Sequence, residues 1–196
     1  MIHDILSYLI RGYDIFIATF SLGYILFYIF LSILSYWAII KHLKYQKYLE
    51  EEVLLRSNHI LGASVVAPAF NEGVNIVYNV KSLLSLTYPK FEIIIANDGS
   101  TDDTLEKLIT EFDLVKIDFY YQEKIITQPV RGHYRSKNPV YSKLLVVDKM
   151  NGKSKADASN AGINSSQYPL FLCTDVDCIL KSDTILKLAK PFMENE

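Results

Sequence analysis

The hydrophobic pattern of the chain begins with one long uncharged run. Residues 15–40, IFIATFSLGYILFYIFLSILSYWAII, contain 26 positions without a charged side chain. As a helix this run would be about 39 Å long, which is enough to cross a hydrocarbon core of about 30 Å with some tilt. A signal peptide needs a shorter apolar region followed by a small-residue cleavage site, and neither is present. The run therefore predicts a transmembrane helix over about residues 15–40, with a buried core helix as the other interpretation.

After residue 62 the pattern changes to short apolar runs that alternate with amphipathic segments. Near-continuous apolar runs at residues 63–70, 91–98 and 114–121 predict buried strands. Residues 71–86 and 98–112 have apolar positions at helical spacing. The order βαβαβ predicts an α/β fold, a mostly parallel sheet with helices on both faces.

The pattern resumes further along the chain. Residues 143–148 and 170–174 predict two more strands, and residues 155–166 predict a short helix. Between them, residues 122–142 contain two prolines, one glycine and several basic side chains, which favours a loop or an irregular hairpin. That segment is either a solvated surface excursion or a flap over an anionic ligand.

Charge adds an orientation to this picture. The chain has 20 Lys and Arg against 22 Asp and Glu, a net charge of −2 that gives no basis for binding nucleic acid. Only Arg11 precedes the apolar run, whereas the basic residues that follow it are Lys41, Lys44, Lys47 and Arg56. By the positive-inside rule we expect a single-pass protein of the inner or plasma membrane, with its N-terminus outside and its following domain in the cytoplasm.

The two cysteines, Cys173 and Cys178, would then lie in a reducing compartment, where free thiols are the rule. Their C-x4-C spacing has no further Cys or His partners, so it does not indicate a zinc site.

The candidate chemistry lies where strands end. In α/β sheets, ligands bind beyond the carboxyl ends of the strands. The segment LFLCTDVD places Asp175 and Asp177 after a strand, on the same side of an extended chain. Two adjacent carboxylates repel each other unless a cation neutralises them, and oxygen ligands favour Mg²⁺ or Mn²⁺. The alternative is a solvated turn with an aspartate capping the next helix.

Three other charged residues fit the same site. Asp98 ends an apolar strand and could accept hydrogen bonds from a base or ribose, although an Asx-turn is the alternative. Glu72 has the same preference, or it serves only as an acid in the first turn of a helix. Lys155 could offset a diphosphate, or it is an ordinary exposed lysine. Together these groups suit a reaction in which a nucleoside diphosphate leaves.

Four segments, VVAPAFNE, ANDGSTDDT, GKSKADASNAGI and FLCTDVDCIL, resemble the family-2 glycosyltransferases with the GT-A fold. They are most similar to the membrane-bound branch, the synthases of hyaluronan, cellulose and poly-N-acetylglucosamine type. The resemblance covers about residues 63–182. It implies that the nucleotide-sugar site comprises Pro68, Phe70, Glu72, Asp98, Lys155, Asn160 and Asp175, with Asp177 as the main metal ligand beside Asp175.

The chain departs from the family pattern at one motif. The family segment reads like GGKADALN, whereas this chain has GKSKADASN, which leaves open whether Lys153 or Lys155 takes the role of the family lysine. The branch also carries an acceptor half, so we expect the catalytic base beyond residue 196. The expected domains are a membrane anchor at residues 1–45, a connector at 46–62, and at 63–196 the donor-binding part of a GT-A domain, incomplete at its C-terminus.

The resulting hypothesis is a membrane-anchored glycosyltransferase part. It would bind a nucleotide-sugar, in the first place a UDP-sugar, with Mg²⁺ or Mn²⁺, for inverting transfer to a glycan or lipid acceptor. The alternative is a non-catalytic donor-binding or assembly module that needs a second chain. A nucleotidyltransferase would prefer a glycine- and lysine-rich triphosphate loop after the first strand, and PAFNEG is not one.

Overall fold

The computed structural model describes residues 2–48 and 60–193, which belong to two compact units, Met1–Val53 and Leu54–Glu196. The described part of the first unit is a single helix, α1 (Ile2–Tyr48), longer at both ends than the predicted 15–40. It contains a stretch, Ile10–Lys41, that is long and apolar enough to cross a membrane. Most of the predicted connector, residues 49–59, lies outside the described residues, and its first three positions continue the helix.

The strands and helices of the second unit follow the predicted order, with one additional strand between the third and fourth predicted strands. Its elements are β1 (Ala63–Ala69), α2 (Ile76–Leu84), β2 (Phe91–Asn97), α3 (Thr104–Glu111), β3 (Leu114–Ile117), β4 (Val130–Ser136), a 3₁₀ turn (Pro139–Tyr141), β5 (Leu144–Lys149), α4 (Lys155–Asn164), β6 (Leu170–Cys173) and α5 (Thr184–Met193).

These strands form one six-stranded sheet in the order β3-β4-β5-β2-β1-β6. The pairs β5–β2, β2–β1 and β1–β6 are parallel, and β4 runs antiparallel to both of its neighbours. The prediction of a mostly parallel α/β sheet is therefore confirmed. Strand β2 is buried along its whole length, which explains its nearly continuous apolar sequence.

Of the two alternatives at 122–142, a loop or an irregular hairpin, the hairpin describes Val130–Ser136: they form the inner strand β4, which pairs antiparallel with β5 and shifts register between Val130 and Gly132. The loop alternative is wrong for these residues, because their basic side chains are not simply solvated. Each of them has a partner instead: Arg131 pairs with Asp148 of β5, His133 contacts Ser165 at the end of α4, and Arg135 lies near Glu92 of β2. Tertiary contacts thus override a loop-like composition.

Helices cover both faces of the sheet, as predicted. The larger core packs α2, α3 and α5 against one face, and a smaller cluster of Val66, Ile94, Leu145 and Val147 lies on the other. There α4 approaches closely, because a Cβ at Gly162 would lie only 2.4 Å from Val66 Cγ1. Full burial of a valine side chain such as that of Val66 stabilises the fold by about 1.5–3 kcal/mol relative to leaving it exposed.

The parallel register brings the ends of four strands to one edge of the sheet. Ala69 of β1 pairs with Asn97 of β2, which pairs in turn with Asp148 of β5. On the other side of β1, Cys173 of β6 pairs with Val66. The residues that follow these positions along the chain are thus held side by side, and they form the candidate site.

Candidate functional site

A cleft of about 620 Å³ lies over this edge of the sheet. Of the eight residues predicted for the site, seven line it: Pro68, Phe70, Glu72, Asp98, Lys155, Asp175 and Asp177. The eighth, Asn160, is half-buried on α4 and does not line the cleft. Side chains from four separate stretches of sequence therefore meet in one place, as the strand-end rule requires.

The cleft also contains residues that the sequence reasoning did not assign. Asn151 and Ser154 line it together with Lys153, the alternative to Lys155 for the family lysine. All three lie in the loop between β5 and α4. The strand-end rule, applied to the predicted strand at 143–148, would have indicated this loop.

Two loops beside the cleft are joined through Asn71. Its φ of 56° lies in the left-handed region, which asparagine tolerates better than most residues. The Asn71 side-chain oxygen accepts hydrogen bonds from the N–H of Thr101 at 2.8 Å and from its hydroxyl at 3.3 Å. The Asn71 N–H donates to Ser100 Oγ at 3.0 Å. The loop after β1 is therefore fixed to the loop after β2.

The same junction positions Glu72. Its N–H donates to Thr104 Oγ1 at 2.9 Å, and the next N–H, of Gly73, donates to Asp102 Oδ2 at 3.0 Å. The hydrogen bond from the Thr104 hydroxyl lowers the pKa of Asp102, which is thus a structural carboxylate. Because α2 begins at Ile76 and has no acid in its first turn, the helix-acid interpretation of Glu72 is wrong.

Asp98 is held by a buried cation. One of its oxygens, Oδ1, accepts from Lys149 Nζ at 2.6 Å and from the N–H of Gly152 at 3.0 Å. Asp98 is 6% exposed and Lys149 is completely buried. The Lys149 ammonium also lies 2.5 Å from Asp157 Oδ2 on α4. The carboxylate of Asp98 is thus engaged by a lysine, and the Asx-turn interpretation does not describe it.

At the other side of the cleft, Lys155 forms an ion pair with Asp175. Lys155 is the first residue of α4, whereas Lys153 lies in the preceding loop with a φ of 54°. Both cations face the cleft, so the choice between them stays a prediction.

Asp175, Asp177 and Cys178 form an exposed cluster whose potential ligand atoms all lie within 4.8 Å of one another. Within the described residues the Asp177 carboxylate has no hydrogen bond or ion pair. It does not cap the next helix, since α5 begins only at Thr184. Two carboxylates of this kind suit a hard divalent cation, which fits the predicted role of Asp177 and Asp175.

Both cysteines are free thiols, as predicted. Burial raises the pKa of Cys173, which makes its thiolate scarce at neutral pH.

Comparison with known proteins gives a consistent set of similarities. Residues 64–140 match the family profile described as Glycosyl transferase family 2. A poly-beta-1,6-N-acetyl-D-glucosamine synthase of Staphylococcus epidermidis is 31% identical over 180 residues, 88% of this chain and 36% of that protein. The synthase of the same description from Staphylococcus aureus strain COL is 27% identical over 169 residues, 82% of this chain and 34% of that one. The chain thus spans about a third of the length of these curated relatives.

Two solved structures are similar at lower identity. S. aureus TarS 1-349 in complex with UDP-GlcNAc is 19% identical with a TM-score of 0.49, covering 68% of this chain and 32% of that one. The mannosyltransferase PcManGT from Pyrobaculum calidifontis, in complex with GDP-Man and Mn²⁺, is 18% identical with a TM-score of 0.47, covering 69% and 35%.

Proposed function

The chain belongs to glycosyltransferase family 2, and from this premise we propose that its cleft binds a UDP-sugar together with Mg²⁺ or Mn²⁺. The whole protein would transfer the sugar, with inversion, to a glycan or lipid acceptor. The observation that carries the proposal is the meeting of Asp98, which follows central strand β2, and Asp177, which follows β6, in one cleft of about 620 Å³.

The nucleoside would occupy the side of the cleft formed by Pro68, Phe70, Glu72 and Asp98. Carboxylates accept hydrogen bonds from base N–H groups and ribose hydroxyls, but they repel phosphate. The Phe70 ring is 48% exposed, so it offers an apolar surface on which a base can lie. This side therefore suits the uncharged part of the donor.

The diphosphate would occupy the opposite side, where Lys155 lies with Asp175 and Asp177. The ammonium of Lys155 would place positive charge beside the phosphate oxygens, and it also holds Asp175 in place. Asp177 and Asp175 would hold the cation. A divalent cation bound there would offset the negative charge that builds up on the departing diphosphate.

The comparisons suggest which donor to test first. The relatives are described as poly-N-acetylglucosamine synthases and TarS was solved with UDP-GlcNAc, so UDP-N-acetylglucosamine is the first candidate for this chain. We assign the catalytic base to none of the described residues. We further propose that α1 anchors the domain in a membrane, with the N-terminus outside and the donor site in the cytoplasm, where nucleotide-sugars are made.

Calorimetry on the full chain in detergent micelles tests the proposal. UDP titrated in the presence of Mn²⁺ should bind saturably, and Asp177→Ala should weaken binding about tenfold or more, since it removes a charged ligand. The matched control is Asp183→Ala, because Asp183 is a nearby aspartate that pairs with Lys187 on the surface at 2.5 Å. Folded wild-type protein that binds no UDP, or equal binding by Asp177→Ala, would overturn the proposal.

A further inference from the structure

We propose that Lys149 is a positioning residue for nucleoside recognition, which fixes Asp98 so that one chosen oxygen faces the ligand. This inference rests on the proposed function. Lys149 is the last residue of β5, one position beyond the pair formed by Asp148 and Asn97. The register of the sheet therefore sets the lysine beside Asp98, which follows Asn97.

The Lys149 ammonium makes two hydrogen bonds and one further ion pair. Its Nζ lies 2.6 Å from Asp98 Oδ1, 2.5 Å from Asp157 Oδ2 and 2.6 Å from the carbonyl oxygen of Met150. The lysine is completely buried and is not among the residues that line the cleft. Lys149 thus acts on the cleft only through the groups that it holds.

The two oxygens of Asp98 have different environments. Both of its contacts within the described residues, from Lys149 and from the Gly152 N–H, go to Oδ1. Because Asp98 lines the cleft, Oδ2 is the oxygen available to accept a hydrogen bond from the nucleoside. Without the ammonium, the carboxylates of Asp98 and Asp157 would face each other as like charges, and the Asp98 carboxylate would turn away.

The arrangement also depends on close packing around the lysine. A Cβ on Gly152 would lie 2.2 Å from Asp157 Oδ2, so only glycine permits this approach of loop and helix. Asp157 also accepts the N–H of Gln128 at 3.1 Å through its other oxygen. Lys149 is therefore held between a strand, a loop and α4, which gives the Asp98 carboxylate one orientation.

A lysine that only stabilises the fold and a lysine that positions Asp98 can be distinguished by the relative affinities for related ligands. Only the loss of a positioning lysine should change these relative affinities. The test titrates the full chain, in detergent with Mn²⁺, with three probes. These are UDP, N3-methyl-UDP, which lacks the base N–H, and 2′-deoxy-UDP, which lacks a ribose hydroxyl. Wild-type protein should bind one analogue about tenfold or more weaker than UDP, as loss of a hydrogen bond to a charged group implies.

The variant Asp98→Asn identifies which analogue lacks the group that the Asp98 carboxylate binds. This variant should no longer prefer UDP over that analogue. The affinities of Lys149→Met for UDP and for the same analogue should differ by no more than about threefold. Lys90→Met should keep the wild-type ratio of these two affinities. Lys90 is an exposed lysine just before β2, at the opposite end of that strand from Asp98. Circular dichroism establishes that each variant is folded.

If Lys149→Met does not fold, Lys149→Met/Asp157→Asn replaces it, since that variant removes the second buried carboxylate together with its cation. The inference is overturned if the folded lysine variant keeps the wild-type ratio. It is also overturned if UDP and both analogues weaken by the same factor, or if wild-type protein discriminates against neither analogue. Wild-type protein that binds no UDP at all would instead overturn the proposed function, and this inference with it.

Discussion

The side-chain oxygen of Asn71 accepts the backbone N–H of Thr101 at 2.8 Å, and this contact joins the loops that follow two adjacent strands. Asn71 also takes up a left-handed backbone conformation, with φ at 56°. One residue thus supplies both the turn and the connection that hold Glu72 at the cleft.

Substitution of Asn71 can separate these two contributions. Asn71→Gly keeps the conformation and loses the acceptor, so the free energy of unfolding should fall by about 1–2 kcal/mol. Asn71→Ala also strains the backbone and should cost about 1 kcal/mol more. Urea denaturation measures the free energy of unfolding of both variants.

Asp113→Gly is the control, because Asp113 also has a positive φ, 48°, but lies outside the site. This variant should not lose stability. Equal stability of Asn71→Gly and Asn71→Ala would contradict the role of the φ angle.

Gly162 sets the distance between α4 and the sheet. Since a Cβ there would lie 2.4 Å from Val66 Cγ1, Gly162→Ala should force α4 outward. Overpacking costs about 1–3 kcal/mol and the gain in helix propensity returns at most about 1 kcal/mol. Thermal or urea unfolding should therefore show a net loss, with UDP binding weakened because Lys155 moves with the helix. Gly23→Ala, where nothing lies within 4 Å, should leave unfolding of the domain unchanged. An unaltered melting curve for Gly162→Ala would show that the helix adjusts without cost.

Lys153, in the loop before α4, and Lys155, the first residue of α4, can be told apart by the ligand whose binding each affects. Lys155→Gln should weaken UDP binding about tenfold and leave the weak binding of uridine nearly unchanged, since the ammonium is expected to contact phosphate only. Lys153→Gln, in the same cleft, should have the smaller effect, because Lys155 pairs with Asp175 and Lys153 lies in the loop before the helix. Calorimetry with both ligands decides the question. A larger loss with Lys153→Gln would assign the family lysine to position 153.

His133 makes the stability of the domain depend on pH. Its ring stacks on Phe119 at 4.6 Å, and burial lowers its pKa from 6.5 to about 4. Below pH 6.5 the unfolded chain takes up a proton at this histidine that the folded protein does not yet bind. Stability is therefore lost as the pH falls through this range, by about 2 kcal/mol between pH 7.5 and 5.0.

Urea unfolding of wild-type protein and of His133→Phe at both pH values measures this contribution. Phenylalanine keeps an aromatic ring beside Phe119, and the Ser165 hydroxyl can still donate to the Ala161 carbonyl at 3.0 Å. The pH dependence of the variant should be smaller by about 2 kcal/mol. The same loss of stability in both proteins would mean that other groups, not His133, titrate.

The central strands β1, β2 and β5 could be predicted because they are buried on both faces and carry nearly continuous apolar runs. The helices were predicted to start too early, at 71 and 98, whereas α2 begins at Ile76 and α3 at Thr104. The intervening residues make hydrogen bonds between the two loops, as Asn71 does with Thr101. Contacts between segments about 30 residues apart leave no signal in local periodicity.

The site could be predicted as far as the carboxylates at the strand ends were concerned. Lys149 and Asp157 were missed, because a lysine is buried only when carboxylates surround it, and these come from separate parts of the chain. Asn160, which was included through the family resemblance alone, lies off the cleft. Its role in donor binding stays a prediction.

The two sides of the cleft follow strands that differ in their number of neighbours in the sheet. β6 is paired only with β1, through four residues, and no described strand covers its other side, whereas β2 lies between two neighbours. Amide hydrogens of Leu170–Cys173 should therefore exchange faster than those of Phe91–Asn97. Local unfolding of β6 would disrupt the side of the cleft that carries Asp177, while the side that carries Asp98 stays folded. UDP bound as proposed above would then release its diphosphate before its base.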